Sequence, residues 1–157
     1  MDGSLQFPVA TPPEPGETVP IAPGVYWLRM RLPFALNHIN LWLLEDGPGW
    51  TIVDCGYALD ETREAWERIF AGRLDGRPVR RVIVTHYHPD HMGLGAWLTE
   101  RWNAPLWTTE KEYLHARMMA EDSSALRMSA ESTTMSSSRF RSVATARGEG
   151  KSVAVRV

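Results

Sequence analysis

Thr85-His86-Tyr87-His88-Pro89-Asp90-His91-Met92-Gly93 is the stretch on which the reading of this 157-residue chain turns. Four side chains with metal-ligand chemistry, His86, His88, Asp90 and His91, fall within six residues. Imidazole suits zinc, iron, nickel and copper, and a carboxylate adds a hard oxygen donor. In an extended segment residues i and i+2 point the same way, so His86 and His88 can bite one ion. Pro89 keeps His88 out of the helical region and turns the chain, which lets Asp90 and His91 face a second position beside the first. The bland alternative is a histidine-rich loop with no metal. Four ligand-type residues at this spacing, between a buried strand and a helix, make that the weaker reading.

On the N-terminal side of the motif, Arg81-Val82-Ile83-Val84-Thr85 reads as a short buried strand running straight into it. On the C-terminal side, Gly93 is expected to open a helix with Leu94, Trp97, Leu98 and Trp102 on one face. Its N-terminal amides would add positive potential near the motif. Asn103-Ala104-Pro105 stops it, Leu106-Trp107-Thr108 is a brief strand, and Glu110 to about Glu121 is a helix with Leu114 and Met118 on its inner face.

Further upstream, Val25 to Met30 is rich in β-formers. His38 to Glu45 is a nearly continuous apolar run, suited to a strand covered on both faces. Glu45-Asp46-Gly47-Pro48-Gly49 is dense turn chemistry and predicts a hairpin into Trp50-Thr51-Ile52-Val53. A helix follows, with Asp60 as N-cap, Glu61 and Glu64 near its positive end, and Trp66, Ile69, Phe70 and Leu74 as one apolar stripe. Asp75-Gly76 ends it. The pattern as a whole is α/β (α+β).

Residues 1–23 are proline-rich and read as an extended arm that cannot pair as a central strand. Residues 24–125 hold the patterned domain. Residues 126–157 read as a low-complexity, disordered or frame-shifted tail, rich in serine and threonine from about Ser129 on, with strand periodicity only at Ser152 to Val157. All seven tryptophans lie before it, between Trp27 and Trp107.

Bulk composition, 43% hydrophobic and 23% charged, is that of an ordinary globular domain. A net charge of −2 asks for neither a nucleic-acid nor a membrane partner. The single cysteine, Cys55, excludes an intrachain disulfide. Met1 to Gly24 lacks the basic and apolar regions of a secretory signal, and no apolar run reaches membrane-spanning length. A cytoplasmic location is the expectation.

The segment 85–93 resembles the signature of the metallo-β-lactamase superfamily, H-x-H-x-D-H followed by glycine. Trp50-Thr51-Ile52-Val53-Asp54-Cys55-Gly56 resembles that family's strand ending in Asp-Thr-Gly, with Cys55 in place of threonine. The resemblance implies the N-terminal half of an αββα sandwich. It implies His86 and His88 as ligands of a first metal, Asp90 and His91 as ligands of a second, and Asp54 as the carboxylate that orients the ligand loop. Without that role Asp54 is a strand-end turn former. Cys55 is expected to be a packed side chain, and His38 and His115 to be surface or satisfied histidines. Asn40 and Tyr87 stay undecided between a pocket and the bulk.

The implied cofactor is Zn²⁺, two per complete site, with iron or manganese as alternatives. The implied chemistry is hydrolysis of an ester, thioester, lactone or similar bond in a small molecule by a metal-activated water. Asp90 would add catalytic proton transfer. The chain departs from the family beyond the motif, where the resemblance implies a further histidine, a bridging aspartate and a last histidine. After His91 it holds only His115 and Asp122. Three readings follow: a metal-dependent hydrolase, a catalytically inactive truncated or frame-shifted product that binds metal weakly, and a nuclease of the same fold, which the charge does not favour. The apolar face meant for a second half would be open to self-association.

Overall fold

The computed structural model describes residues 9–130, 143–144 and 152–156, with side-chain surroundings described for 9–120. Most of the 126–157 tail, and residues 1–8 of the arm, lie outside the described residues.

The first strands form an antiparallel meander: β1 (Val19–Ala22), β2 (Val25–Arg31), β3 (His38–Asp46) and β4 (Gly49–Val53). The arm therefore contributes an edge strand, where Pro20 costs no central ladder bond. The turn chemistry at 45–49 does form a hairpin, closing at Asp46 opposite Gly49 with Gly47 at φ 57°. Helix α1 (Asp60–Arg73) then crosses over to β5 (Val79–Ile83), which runs parallel to β4. A short α2 (Pro89–Met92) and α3 (Gly95–Trp102) carry the chain to β6 (Leu106–Thr109), parallel to β5. Helix α4 (Glu110–Ala130) follows, then β7 (Val143–Ala144) and β8 (Ser152–Arg156). The sheet order is β1-β2-β3-β4-β5-β6-β8-β7. Within the segment read as strand at the end of the chain, Ser152–Arg156 forms β8, which pairs antiparallel to β6 in this same sheet.

Helices cover one face of the sheet. Leu28, Met30, Leu41, Leu43, Ile52 and Val82 are buried there against Trp66, Ile69 and Phe70 of α1 and Leu94 and Leu98 from the α3 region. The two largest buried rings also satisfy their polar edges. Trp66 Nε1 donates to Cys55 O at 2.8 Å and Trp50 Nε1 to Leu74 O at 3.1 Å, so neither brings an unpaired donor into the core. Truncating Trp66 to alanine would cost about 3–5 kcal/mol.

The opposite face is different. Trp27, Trp42, Val53, Ile83 and Trp107 are register partners across five strands, hence on one face, and all are at least partly exposed. This corrects the reading of β3 as covered on both sides: Ile39, Leu41 and Leu43 are buried, while the alternating Trp42 and Leu44 are not.

Four local expectations change. Asp60 is the first residue of α1, not its cap. Leu59 occupies the cap position and Asp60 pairs with Arg63 at 2.7 Å. Strand β5 lies two residues earlier than its apolar run suggests, leaving Val84 and Thr85 to bridge to the motif. Gly93 ends α2 instead of opening a helix. A Cβ there would meet Pro89 O at 2.4 Å, Ala58 N at 2.8 Å and Gly56 O at 2.9 Å. Glycine is needed because the motif packs backbone to backbone on the Gly56–Ala58 turn. Finally, α4 runs on to Ala130, and Leu114 and Met118 are 53% and 60% exposed. The side of α4 turned to the rest of the molecule carries Glu112, Tyr113 and Ala116.

Candidate metal centre

The motif sits beyond the C-terminal ends of the parallel strands β4 and β5, where α/β sheets commonly place their sites. Asp54 follows β4 directly and adopts φ 63°, a left-handed conformation that aspartate tolerates better than most residues. That turn swings its carboxylate under the motif. Asp54 is only 4% exposed, and its oxygens are matched by donors. Thr85 N donates to Oδ1 at 2.8 Å, the Thr85 hydroxyl lies 2.9–3.0 Å from both oxygens, and His91 Nδ1 lies 2.9 Å from Oδ2. The loop is tied down from the other direction by Cys55 N donating to His91 O at 2.7 Å.

These contacts set the imidazole protons. An ionised carboxylate only accepts, so His91 carries its proton on Nδ1 and presents the Nε2 lone pair. The Thr85 hydroxyl has one proton, which goes to Asp54. Its oxygen then accepts from His86 Nδ1, 3.0 Å away, and the His86 Nε2 lone pair is left facing outward. Asp54 thus orients His91 directly and His86 through Thr85. Thr85 was part of the motif as read, but its bridging hydroxyl was legible only once the loop was folded.

His86 Nε2 and His88 Nδ1 are 3.1 Å apart. His91 Nε2 and Asp90 Oδ2 are 3.6 Å apart. Two donors on one tetrahedral ion with bonds of about 2.0–2.1 Å sit roughly 3.3 Å apart, so each pair has the bite one divalent ion needs. The His86 and His91 rings lie 3.8 Å apart by centroid, which brings the two pairs side by side. Among the described residues no three or more His, Cys, Asp or Glu side chains converge on one ion. The side chains of donor chemistry lie as two close pairs.

Titration follows from the same geometry. The His86 pKa is pushed below its ordinary value, first by withdrawal from water, then by the charges of His91 and His88, with Asp54 and Asp90 opposing. A neutral imidazole is the form that binds a cation. Burial, reinforced by Asp54, pushes the Cys55 thiol well up. It is a fully buried neutral thiol, as expected of a packed side chain.

The remaining candidates separate clearly. His38 is satisfied by Asn37 Oδ1 at 2.7 Å. Asn40 accepts from Trp27 Nε1 and Arg29 Nε and does not line the cleft beside the motif. His115 does not match its expectation: its ring lies 5.3 Å from Tyr87, and its Nδ1 is buried with no partner among the described residues. Glu112, which the sequence reading passed over, accepts from Tyr87 N–H at 2.8 Å. A cleft of about 580 Å³ opens beside His88, walled by Tyr87, Met92, Leu106, Tyr113 and Met119.

A sheet with helices on one face, a buried aspartate after one strand and a histidine cluster after the next define a class of α/β proteins built around a metal-ligand loop. The chain belongs to the metallo-β-lactamase superfamily, whose family model matches residues 36–153. In three dimensions it is similar to a beta-lactamase domain protein from Burkholderia ambifaria, with 53% identity and a TM-score of 0.69 over 76% of this chain and 38% of that one. It is also similar to a metallo-beta-lactamase family protein from Thermus thermophilus, with 27% identity and a TM-score of 0.55 over 74% of this chain and 41% of that one. Among curated relatives it is 31% identical to the probable metallo-hydrolase YybB of Bacillus subtilis, over 53% of this chain and 33% of that protein. It is likewise 31% identical to the probable metallo-hydrolase YqjP of the same organism, over 43% of this chain and 21% of that protein. The chain thus spans a third or less of the curated relatives it matches, and among its described residues no helix is long and apolar enough to cross a membrane.

Proposed function

We propose that the chain carries part of the active site of a metal-dependent hydrolase acting on an ester, thioester, lactone or similar bond of a small molecule. The observation that carries this reading is the paired presentation of donors: His86 with His88 at 3.1 Å, and His91, held by Asp54, with Asp90 at 3.6 Å. His86 and His88 would hold one Zn²⁺, and Asp90 and His91 a second. Such ions supply Lewis acidity and lower the pKa of a bound water toward about 7.

The chain's own groups do the rest. Asp54 and Thr85 keep the His86 and His91 protons on Nδ1, so the Nε2 lone pairs stay available. Asp90, partly exposed beside His91, would take up a proton from the attacking water and pass it to the leaving group. The cleft beside His88 is the place for the substrate's apolar part. A cytoplasmic setting, with no nucleic-acid or membrane partner, fits the sequence's charge and its single buried thiol. The open row of Trp27, Trp42, Val53, Ile83 and Trp107 is where self-association would occur.

The test is elemental analysis of the purified chain before and after dialysis against a weak chelator, paired with a turnover assay on esters, thioesters and lactones. Retention of two zinc ions with chelator-sensitive turnover would support the hydrolase reading. Weak metal retention and no turnover would leave the inactive, truncated reading in its place.

A further inference from the structure

We propose that Glu112 is a positioning residue: reaching across from α4, it holds the His86-Tyr87-His88 segment in its donor-pairing geometry. This rests on the reading of His86 and His88 as a pair for one ion. Tyr87 is the residue between them, and its N–H is a backbone donor within that segment. Glu112 Oε2 accepts it at 2.8 Å. Asp54 holds the loop on either side, at Thr85 and at His91, but does not touch residues 87 or 88. Glu112 thus supplies a carboxylate to the backbone of the His86–His88 segment, which the Asp54 contacts do not reach.

The start of α4 shows that this contact departs from a common local rule. Thr109-Glu110-Lys111-Glu112 is a T-x-x-E capping box, in which the glutamate ordinarily turns back to the capping residue's own amide. Half of the box is present: Glu112 N donates to Thr109 Oγ1 at 3.3 Å. The carboxylate meanwhile reaches the motif loop. The Tyr87 ring rests 5.3 Å from His115, one turn further along α4, so helix and loop meet at two points. Because a hydrogen bond to a charged acceptor is stronger than a neutral one, the clamp is well suited to keeping His86 Nε2 and His88 Nδ1 at ligand spacing before any ion arrives.

The experiment compares the full chain with its Glu112→Ala and Glu112→Gln variants in two measurements. Zinc affinity is read by competition with a chromophoric chelator. Protection of the Tyr87 amide is read by hydrogen exchange on the metal-free proteins. Glutamine keeps an acceptor oxygen at the same reach, so it is expected to preserve Tyr87 protection and to bind zinc within about threefold of the native chain. Alanine is expected to expose the Tyr87 amide and weaken zinc binding by about 10–100-fold, the usual cost of losing a group that orients a ligand. Equal Tyr87 exchange in the native and alanine proteins overturns the proposal, whatever zinc does. So does equal zinc affinity in the two. If the native chain binds no zinc yet Tyr87 protection depends on Glu112, the clamp stands and the metal reading fails. A Thr109→Val control, which weakens the same helix start without removing the carboxylate, is expected to leave zinc affinity unchanged. Weakening equal to that of Glu112→Ala would assign the effect to helix fraying and overturn the proposal.

Discussion

Two carboxylates hold the same loop, and they do so from environments that could hardly differ more. Asp54 is buried at the end of a central strand, in a left-handed conformation, with donors on both oxygens. Glu112 is half-exposed on a helix whose neighbouring Leu114 and Met118 face solvent, and it makes one contact to the loop. The contrast separates two jobs that a ligand-orienting carboxylate can do. Asp54 is part of the fold, so its loss is felt as stability first. Glu112 acts on geometry that the fold has already assembled, so its loss is felt at the site.

The sharpest way to break that contrast is Asp54→Ala. It strands the Thr85 amide, the Thr85 hydroxyl and His91 Nδ1 at once, and about 3 kcal/mol of unfolding free energy or more should go, as read by chemical denaturation. A loss as small as that of Glu112→Ala would erase the distinction. Gly93→Ala comes next, because the new methyl would press on three backbone atoms at 2.4–2.9 Å. The expected cost is about 1–3 kcal/mol, and a neutral result would mean the Gly56–Ala58 turn yields freely.

Asp54→Asn probes orientation more than stability. The NH2 that replaces one carboxylate oxygen cannot accept, so a donor now at that oxygen loses its partner, and His91 is free to move its proton to Nε2. One zinc per chain should be lost, measured by elemental analysis, while the melting temperature drops by less than in Asp54→Ala. The smallest effect expected is on pH dependence. The His86 pKa lies below its unfolded value. The unfolded chain therefore takes up this proton first, and the metal-free protein loses stability as pH falls from about 6.5 through the lowered value, with none lost above that range. His86→Gln should flatten this part of the melting-temperature profile between pH 7.5 and 5.5, and an unchanged slope would remove His86 as its source.

Much of this site was readable before any coordinates. The spacing of His86, His88, Asp90 and His91, the proline between the pairs and the aspartate closing an apolar run all follow from the geometry of extended chain and tight turns. The stripe Trp66, Ile69, Phe70 and Leu74 was equally plain, because a 3.6-residue period is local. The misreadings share a different cause. Gly93 looked like a helix start because local pattern cannot show a second backbone passing within van der Waals distance. Leu114 and Met118 looked internal because apolar residues at helical spacing do not say which side of the helix the protein occupies. Glu112 carried no sign of its role, since a T-x-x-E pattern points to a partner three residues away and the actual partner is Tyr87.

What the sequence determined by itself is which side chains of donor chemistry lie close along the chain, since bond geometry along a few residues dictates which side chains can point together. The tertiary structure alone decided how those donors are oriented and held. The proton on His91, the Thr85 relay to His86 and the reach of Glu112 each depend on groups 25 to 37 residues apart in the chain, brought within 3 Å by parallel strand pairing and by helix packing. Hydrogen bonds act over such distances in space and carry no signature in sequence separation.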